Sequence, residues 1–208
     1  MEFLHERKDW VCRFVSVDIA NQFREALFAE IRNPATCDVL RAVSLTGDLS
    51  GWTRQLTASC VVACHVMGWR ASAKGHLLEL LPVARCEYLS LDIVAFAEND
   101  ERWLFPRAVM ELENSPRQDQ VAYSLWKALC VRAALRLVFC YRRQPEDGPK
   151  LIRHLRQEVI RAMGLDGRVS LDGQTVVIVG TRNDAGTFPY GFFSWWALDP
   201  NTAAFDRI

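Results

Sequence analysis

Asp92, Glu111 and Glu113 are the residues whose types and spacing best suit chemistry. Glu111 and Glu113 sit two apart in Trp103 to Glu113, a stretch that reads as a strand, so both side chains project to one face. Asp92 lies in a second alternating run, Tyr88 to Ala97. Leu89, Leu91, Ile93 and Ala95 share one face of that run, and Tyr88, Ser90, Asp92, Val94 and Phe96 share the other. Glu98-Asn99-Asp100-Glu101 reads as a hairpin loop between the two strands, which would bring Asp92 beside the glutamates. Clustered carboxylates repel one another unless protons or a cation compensate. Oxygen-rich clusters suit Mg²⁺ or Mn²⁺, ions that activate water and stabilise charge on a phosphate. The other reading of these residues is the solvated face of an edge strand, where acidic side chains are routine.

The elements that must position them follow from the same pattern reading. The first third is expected to be helical. Asp18 caps a segment whose Ile19, Phe23, Leu27 and Ile31 form one stripe, and Asn33-Pro34 stops it. A second helix is expected from about Trp52 to Met67, ended by Gly68, with turns at Thr46-Gly47-Asp48 and Ser50-Gly51 before it. Leu77 to Leu81, closed by Pro82, is the first expected strand. After Glu113, Asn114-Ser115-Pro116 breaks the chain and starts a helix running to about Ala133. Leu135 to Tyr141 is a continuous apolar run, as in a strand buried on both faces. Pro149 to Met163 reads as an amphipathic helix with Gly164 past its end, and Thr175 to Val179 as a further strand. The organisation expected is a single α/β domain over 1–208: a helical part over 1–75, a core over 77–143 and a C-terminal helix with strands over 148–208.

A strand, a strand with Asp92, a strand with Glu111-Leu112-Glu113, a helix, then the strand Leu135–Tyr141 resembles the core of the PD-(D/E)xK nuclease superfamily. The resemblance implies a restriction endonuclease-like mixed β-sheet flanked by helices, an αβββαβ core, here with a helical N-terminal extension. It implies Asp92 and Glu111 as ligands of Mg²⁺ or Mn²⁺, with Glu113, at the position where the family commonly carries a lysine that orients the attacking water, expected to hold the metal as well or to assist the water. Some family nucleases place glutamate there, and degenerate, non-cutting members also lose the lysine. The following helix offers a substitute, because Arg117, Gln120, Ser124 and Lys127 recur at three- and four-residue spacings beside the apolar Val121, Leu125, Trp126 and Leu129. Lys127, with Gln120, Tyr123 and Ser124 as substrate contacts, is similar to branches of the superfamily that relocate a lysine or glutamine to this helix. The activity implied is metal-dependent phosphodiester hydrolysis of DNA. The alternative is a catalytically inactive, nuclease-like subunit that binds nucleic acid or assembles with protein. A further protein subunit or a homo-oligomer is an expected partner, and prokaryotic nucleic-acid defence or repair a fitting setting.

Other groups carry weaker readings. Cys60, Cys64 and His65 lack paired zinc spacing and suit buried helix packing. Arg153, Arg156 and Arg161, with Lys150 and His154, make a basic helix side that suits either phosphate contacts or a solvated face. Tyr190, Phe192, Phe193, Trp195 and Trp196 suit base stacking or, more simply, sheet packing. No GxxxxGK[ST] or helix-opening GxGxxG is present, which argues against nucleotide-driven activity. Twenty-five acidic and twenty-five basic residues balance to zero net charge, so no general affinity for polyanions is expected, although a local basic face remains open. Seven scattered cysteines suit a reducing compartment. Met1 to Trp10 holds no apolar signal core, and no run reaches the length of a membrane span. The expected location is cytoplasmic.

Overall fold

The computed structural model describes residues 18–79, 85–98 and 103–208, so the stretch Met1 to Trp10 and the Asn99–Glu101 part of the expected hairpin loop lie outside the described residues. Three helices come first. In α1 (Ile19–Ile31) the Asp18 carboxylate accepts from the Asn21 amide, and Phe23, Leu27 and Ile31 bury one stripe. Asn33 caps α2 (Pro34–Thr46), which ends on left-handed Gly47. Asp48 caps α3 (Leu49–Val66) by accepting from the Gly51 amide at 2.9 Å.

A mixed sheet of seven strands follows, in the order β1 (Trp69–Ala73), β2 (Ile93–Ala97), β3 (Ala108–Glu113), β4 (Leu135–Arg142), β5 (Gln174–Thr181), β6 (Phe193–Asp199) and β7 (Ala204–Arg207). The pairs β1–β2 and β2–β3 are antiparallel, β3–β4 and β4–β5 parallel, and β5–β6 and β6–β7 antiparallel. A parallel pair needs a crossover. Helix α4 (Gln118–Leu129) supplies it between β3 and β4, and α5 (Asp147–Leu155) begins the one between β4 and β5. The second crossover continues through a π turn (Arg156–Ile160), a 3-10 turn (Arg161–Met163) and the short α6 (Gly164–Val169). The expected helix over Pro149 to Met163 is thus wound at three different pitches.

The strands alternate between two cores. Ile93, Ala95, Met110, Leu137, Phe139 and Ile178 pack toward α1, α2 and α3. Val94, Phe96, Val109, Val138, Cys140, Val177 and Val179 pack toward α4 and α5. Trp52 of α3 anchors the first core: its ring meets Phe188 at 5.8 Å and Phe192 at 5.2 Å, and its Nε1 donates to the Tyr141 hydroxyl at 2.7 Å. Phe188, Phe192 and Trp195 are buried, so most of the aromatic C-terminal segment packs against the sheet, and Tyr190 stays exposed.

Several expectations require correction. The first strand is Trp69–Ala73, inside the part expected to be helical, and Leu77–Glu79 is irregular apart from a lone bridge of Leu78 to Arg85. Alanine and serine are weak strand formers, and here burial under α3 overrides propensity. Ser50-Gly51 forms the first turn of α3, not a separate turn, because Asp48 captures the Gly51 amide. The strand around Asp92 is shorter than Tyr88 to Ala97: Tyr88–Ser90 is a 3-10 turn with Leu89 and Ser90 at φ 56° and 55°, which carries Leu91 into the second core. Trp103 to Arg107 is likewise irregular, with Trp103 at φ 60°.

Replacing Trp52 by Phe would leave the buried Tyr141 hydroxyl without its donor and open space beside Phe192. The expected loss is about 2–3 kcal/mol in chemical denaturation, with the fold retained.

Candidate active site

β3 lies inside the sheet, between β2 and β4. Its residues Val109, Glu111 and Glu113 point toward α4 by strand alternation. The β2–β3 ladder stops at Ile93 opposite Met110. Asp92, the next residue outward, is therefore the cross-strand neighbour of Glu111, on the same face as Val94 and Phe96. Its Oδ2 accepts from the Leu112 amide at 2.7 Å, so a side chain occupies a donor that β2 leaves as it turns away.

Helix α4 completes the cluster. Pro116 precedes it, Arg117 and Asp119 pair across its first turn, and Val121, Leu125, Ala128 and Leu129 bury its inner side. Ser124 and Lys127 flank that side toward β3. Lys127 Nζ stands 2.8 Å from Glu111 Oε1 and donates to the Ser90 carbonyl at 2.9 Å. Ser124 Oγ donates to Glu113 Oε2 at 3.3 Å, and Glu113 Oε1 accepts from the Ser115 amide at 2.7 Å.

The two central carboxylates sit in poorly solvated surroundings. The Glu111 side chain is only 7% exposed. Burial pushes its pKa up to about 7, with neighbouring Asp92 adding to the rise and the Lys127 ammonium opposing it. Asp92 is also raised, chiefly by burial. The Leu112 amide and Lys127 hold it down, while Glu87 and Glu113 push it up. Both groups thus hold protons more tightly than free carboxylates, and a cation placed between them would relieve the same strain.

The structure brings together Asp92, Glu111 and Lys127, with Glu113 within electrostatic reach of Asp92 but bonded to Ser115 and Ser124. Among the described residues, no three His, Cys, Asp or Glu side chains are arranged to hold a metal. The expected three-carboxylate set is thus not assembled, since Glu113 is bonded to Ser115 and Ser124, and at most Asp92 and Glu111 are left as donors. That pair fits Mg²⁺, which keeps several waters and is commonly held by one or two carboxylates plus substrate phosphates. Gln120 and Tyr123 stand on the exposed rim of α4, where Tyr123 packs against Trp126 with ring centroids 5.9 Å apart. Sequence reading missed Glu87 and the Ser90 carbonyl, because only the 3-10 turn folds them toward Asp92 and Lys127.

The other clusters hold no comparable geometry. Cys60 and Cys64 are buried in α3, and burial pushes both thiols up, Cys64 to about 12, while His65 is exposed. On the α5 side Lys150 pairs with Asp147, and Arg153 and Arg161 are exposed. Among the described residues no helix is long and apolar enough to cross a membrane. No family model, curated protein or solved structure matches this chain.

A carboxyl whose pKa is raised on folding binds more protons in the folded state, so stability falls as pH rises from the unfolded value of 4.5 toward about 7. Glu111→Gln is expected to flatten that slope, read from denaturation at pH 5, 6.5 and 8. An unchanged pH slope would show that Glu111 is not the titrating group.

Proposed function

We propose that this chain is a metal-dependent nuclease of the PD-(D/E)xK type, hydrolysing phosphodiester bonds in DNA. The observation that carries this reading is the pairing of Asp92 and Glu111 on neighbouring strands, facing the same way, with Lys127 of α4 against Glu111. The order α3, β1, β2, β3, α4, β4, with two antiparallel pairs and then a parallel one, also agrees with the αβββαβ core that the sequence resemblance implies.

Asp92 and Glu111 would hold Mg²⁺ or Mn²⁺, the ion supplying water activation and charge neutralisation at phosphate. Lys127 compensates charge beside Glu111 and is the one cation in contact with the pair among the described residues. It would stabilise negative charge gathering on the phosphate oxygens. Glu113, held by Ser124 and Ser115, would accept a proton from the attacking water. Gln120 and Tyr123, on the rim, would touch the substrate beyond the scissile bond.

The presence of Glu113 where the family commonly has lysine favours a second reading, a nuclease-like subunit that binds nucleic acid or assembles with protein without cutting.

Cleavage of plasmid and oligonucleotide DNA with Mg²⁺ or Mn²⁺ separates the two. Asp92→Ala and Glu111→Ala are expected to lose at least about 100-fold in rate, and Lys127→Met a similar amount. Activity surviving both carboxylate substitutions would remove the proposed centre. Metal binding by the wild type without cleavage would favour the second reading.

A further inference from the structure

A second polar feature lies at the same end of the sheet. Ser50, Thr53, Arg54, Thr57 and Ala58 of α3 face Lys74, Gly75 and His76, which follow β1, across a cleft of about 700 Å³. Among the described residues two cationic side chains, one histidine and three hydroxyl residues line it, with no carboxylate. Arg54 and Lys74 are exposed, and neither they nor His76 joins any ion pair among the described residues. The nearby Asp48 carboxylate is turned to the Gly51 amide as the α3 cap. In a chain of zero net charge, cations gathered in one cleft with no ion-pair partner among the described residues focus a positive potential there and draw in anions.

The cleft lies at the same end of the sheet as the carboxylate pair, on the α3 side, whereas the carboxylates face α4. Ala73, at the end of β1, is paired with Ile93, the neighbour of Asp92, so Lys74 and Asp92 leave adjacent strands at the same end, roughly 5 Å apart in the strand-pairing direction. On the other side Thr53 Oγ1 accepts from Asn114 Nδ2 at 2.7 Å, which joins α3 to the residue after Glu113. Left-handed Gly75 (φ 85°) carries the turn between the two cations, and a side chain there would meet nothing within 4 Å, so the mouth is open.

We propose that this cleft binds the phosphodiester backbone of nucleic acid, with Arg54 and Lys74 on successive phosphates and His76 as a hydrogen-bonding partner. The proposal rests on the nuclease reading for its substrate and extends it: the strand being cut runs from the Asp92–Glu111 pair over the end of β1 and along the start of α3. Phosphate contacts of this kind position a backbone without reading its sequence.

The test is equilibrium binding of a fluorescent 30-base-pair DNA duplex to the full chain in EDTA, from 50 to 300 mM salt. Arg54→Gln/Lys74→Gln is expected to weaken binding about 10-fold or more at low salt and to flatten the log–log salt slope by about 2. Arg153→Gln/Arg161→Gln, on the α5 side, is expected to change neither. Thermal melting of each variant shows that the fold is kept. An unaltered slope in the Arg54/Lys74 variant, or a loss confined to the Arg153/Arg161 variant, would overturn the proposal. Because no metal is present, binding through the cleft would be seen even if the wild type proves unable to cut, so the two readings fail separately.

Discussion

The contact between Glu111 and Lys127 organises this molecule more than any other polar interaction. Glu111 occupies an inside strand with apolar residues before and behind it, so its charge has almost no access to water. Lys127 reaches it from α4 and at the same time holds the Ser90 carbonyl in the turn before β2. One ammonium thereby joins three chain segments, the helix after β3, β3 itself and the entry to β2. A buried ion pair of this sort adds little net stability, since desolvation consumes most of the attraction, but losing one partner strands the other. Its value lies in fixing where α4 sits over the sheet.

That placement determines what else faces the carboxylates. Buried packing of Val121, Leu125 and Ala128 fixes the rotation of α4, and the same rotation turns Ser124 to Glu113 and leaves Gln120 and Tyr123 at the solvent boundary. Asp92 is set independently, by the end of the β2–β3 ladder and the Leu112 amide. A buried acid beside a half-buried one is a local weakness in an otherwise apolar layer. Such weaknesses concentrate where a protein must meet a charged ligand, because the site cannot be optimised for stability and for function together. The cation-lined cleft between α3 and the end of β1 lies at the same end of the sheet, on the α3 side.

Much of this was legible in the residues. Strand alternation put Asp92, Glu111 and Glu113 on one face, helical spacing put Ser124 and Lys127 on one side of α4, and the apolar run of β4 announced a strand buried on both faces. The segment leading into the site was not. Trp69–Ala73 is poor in β-branched residues, and it forms a strand only because α3 and β2 cover it. The turn at Tyr88–Ser90 requires left-handed Leu89 and Ser90, residues that give no local signal for such a conformation. Arg54 is far in sequence from Lys74 and His76 and the three fall in no motif, so their gathering into one cleft was invisible before the chain folded.

The sequence by itself determined which side chains can share a face, because side-chain direction repeats every two residues in a strand and every 3.6 in a helix. It determined that the chain could supply two carboxylates and a lysine to one place. Only the tertiary structure decided which of them meet. Glu111 lies against Lys127 and beside Asp92, whereas Glu113 turns to Ser115 and Ser124, because strand register and the packing of α4 are set by contacts between segments distant along the chain. Those contacts also set the burial that draws the Glu111 pKa up to about 7, a property of the fold that no run of neighbouring residues encodes.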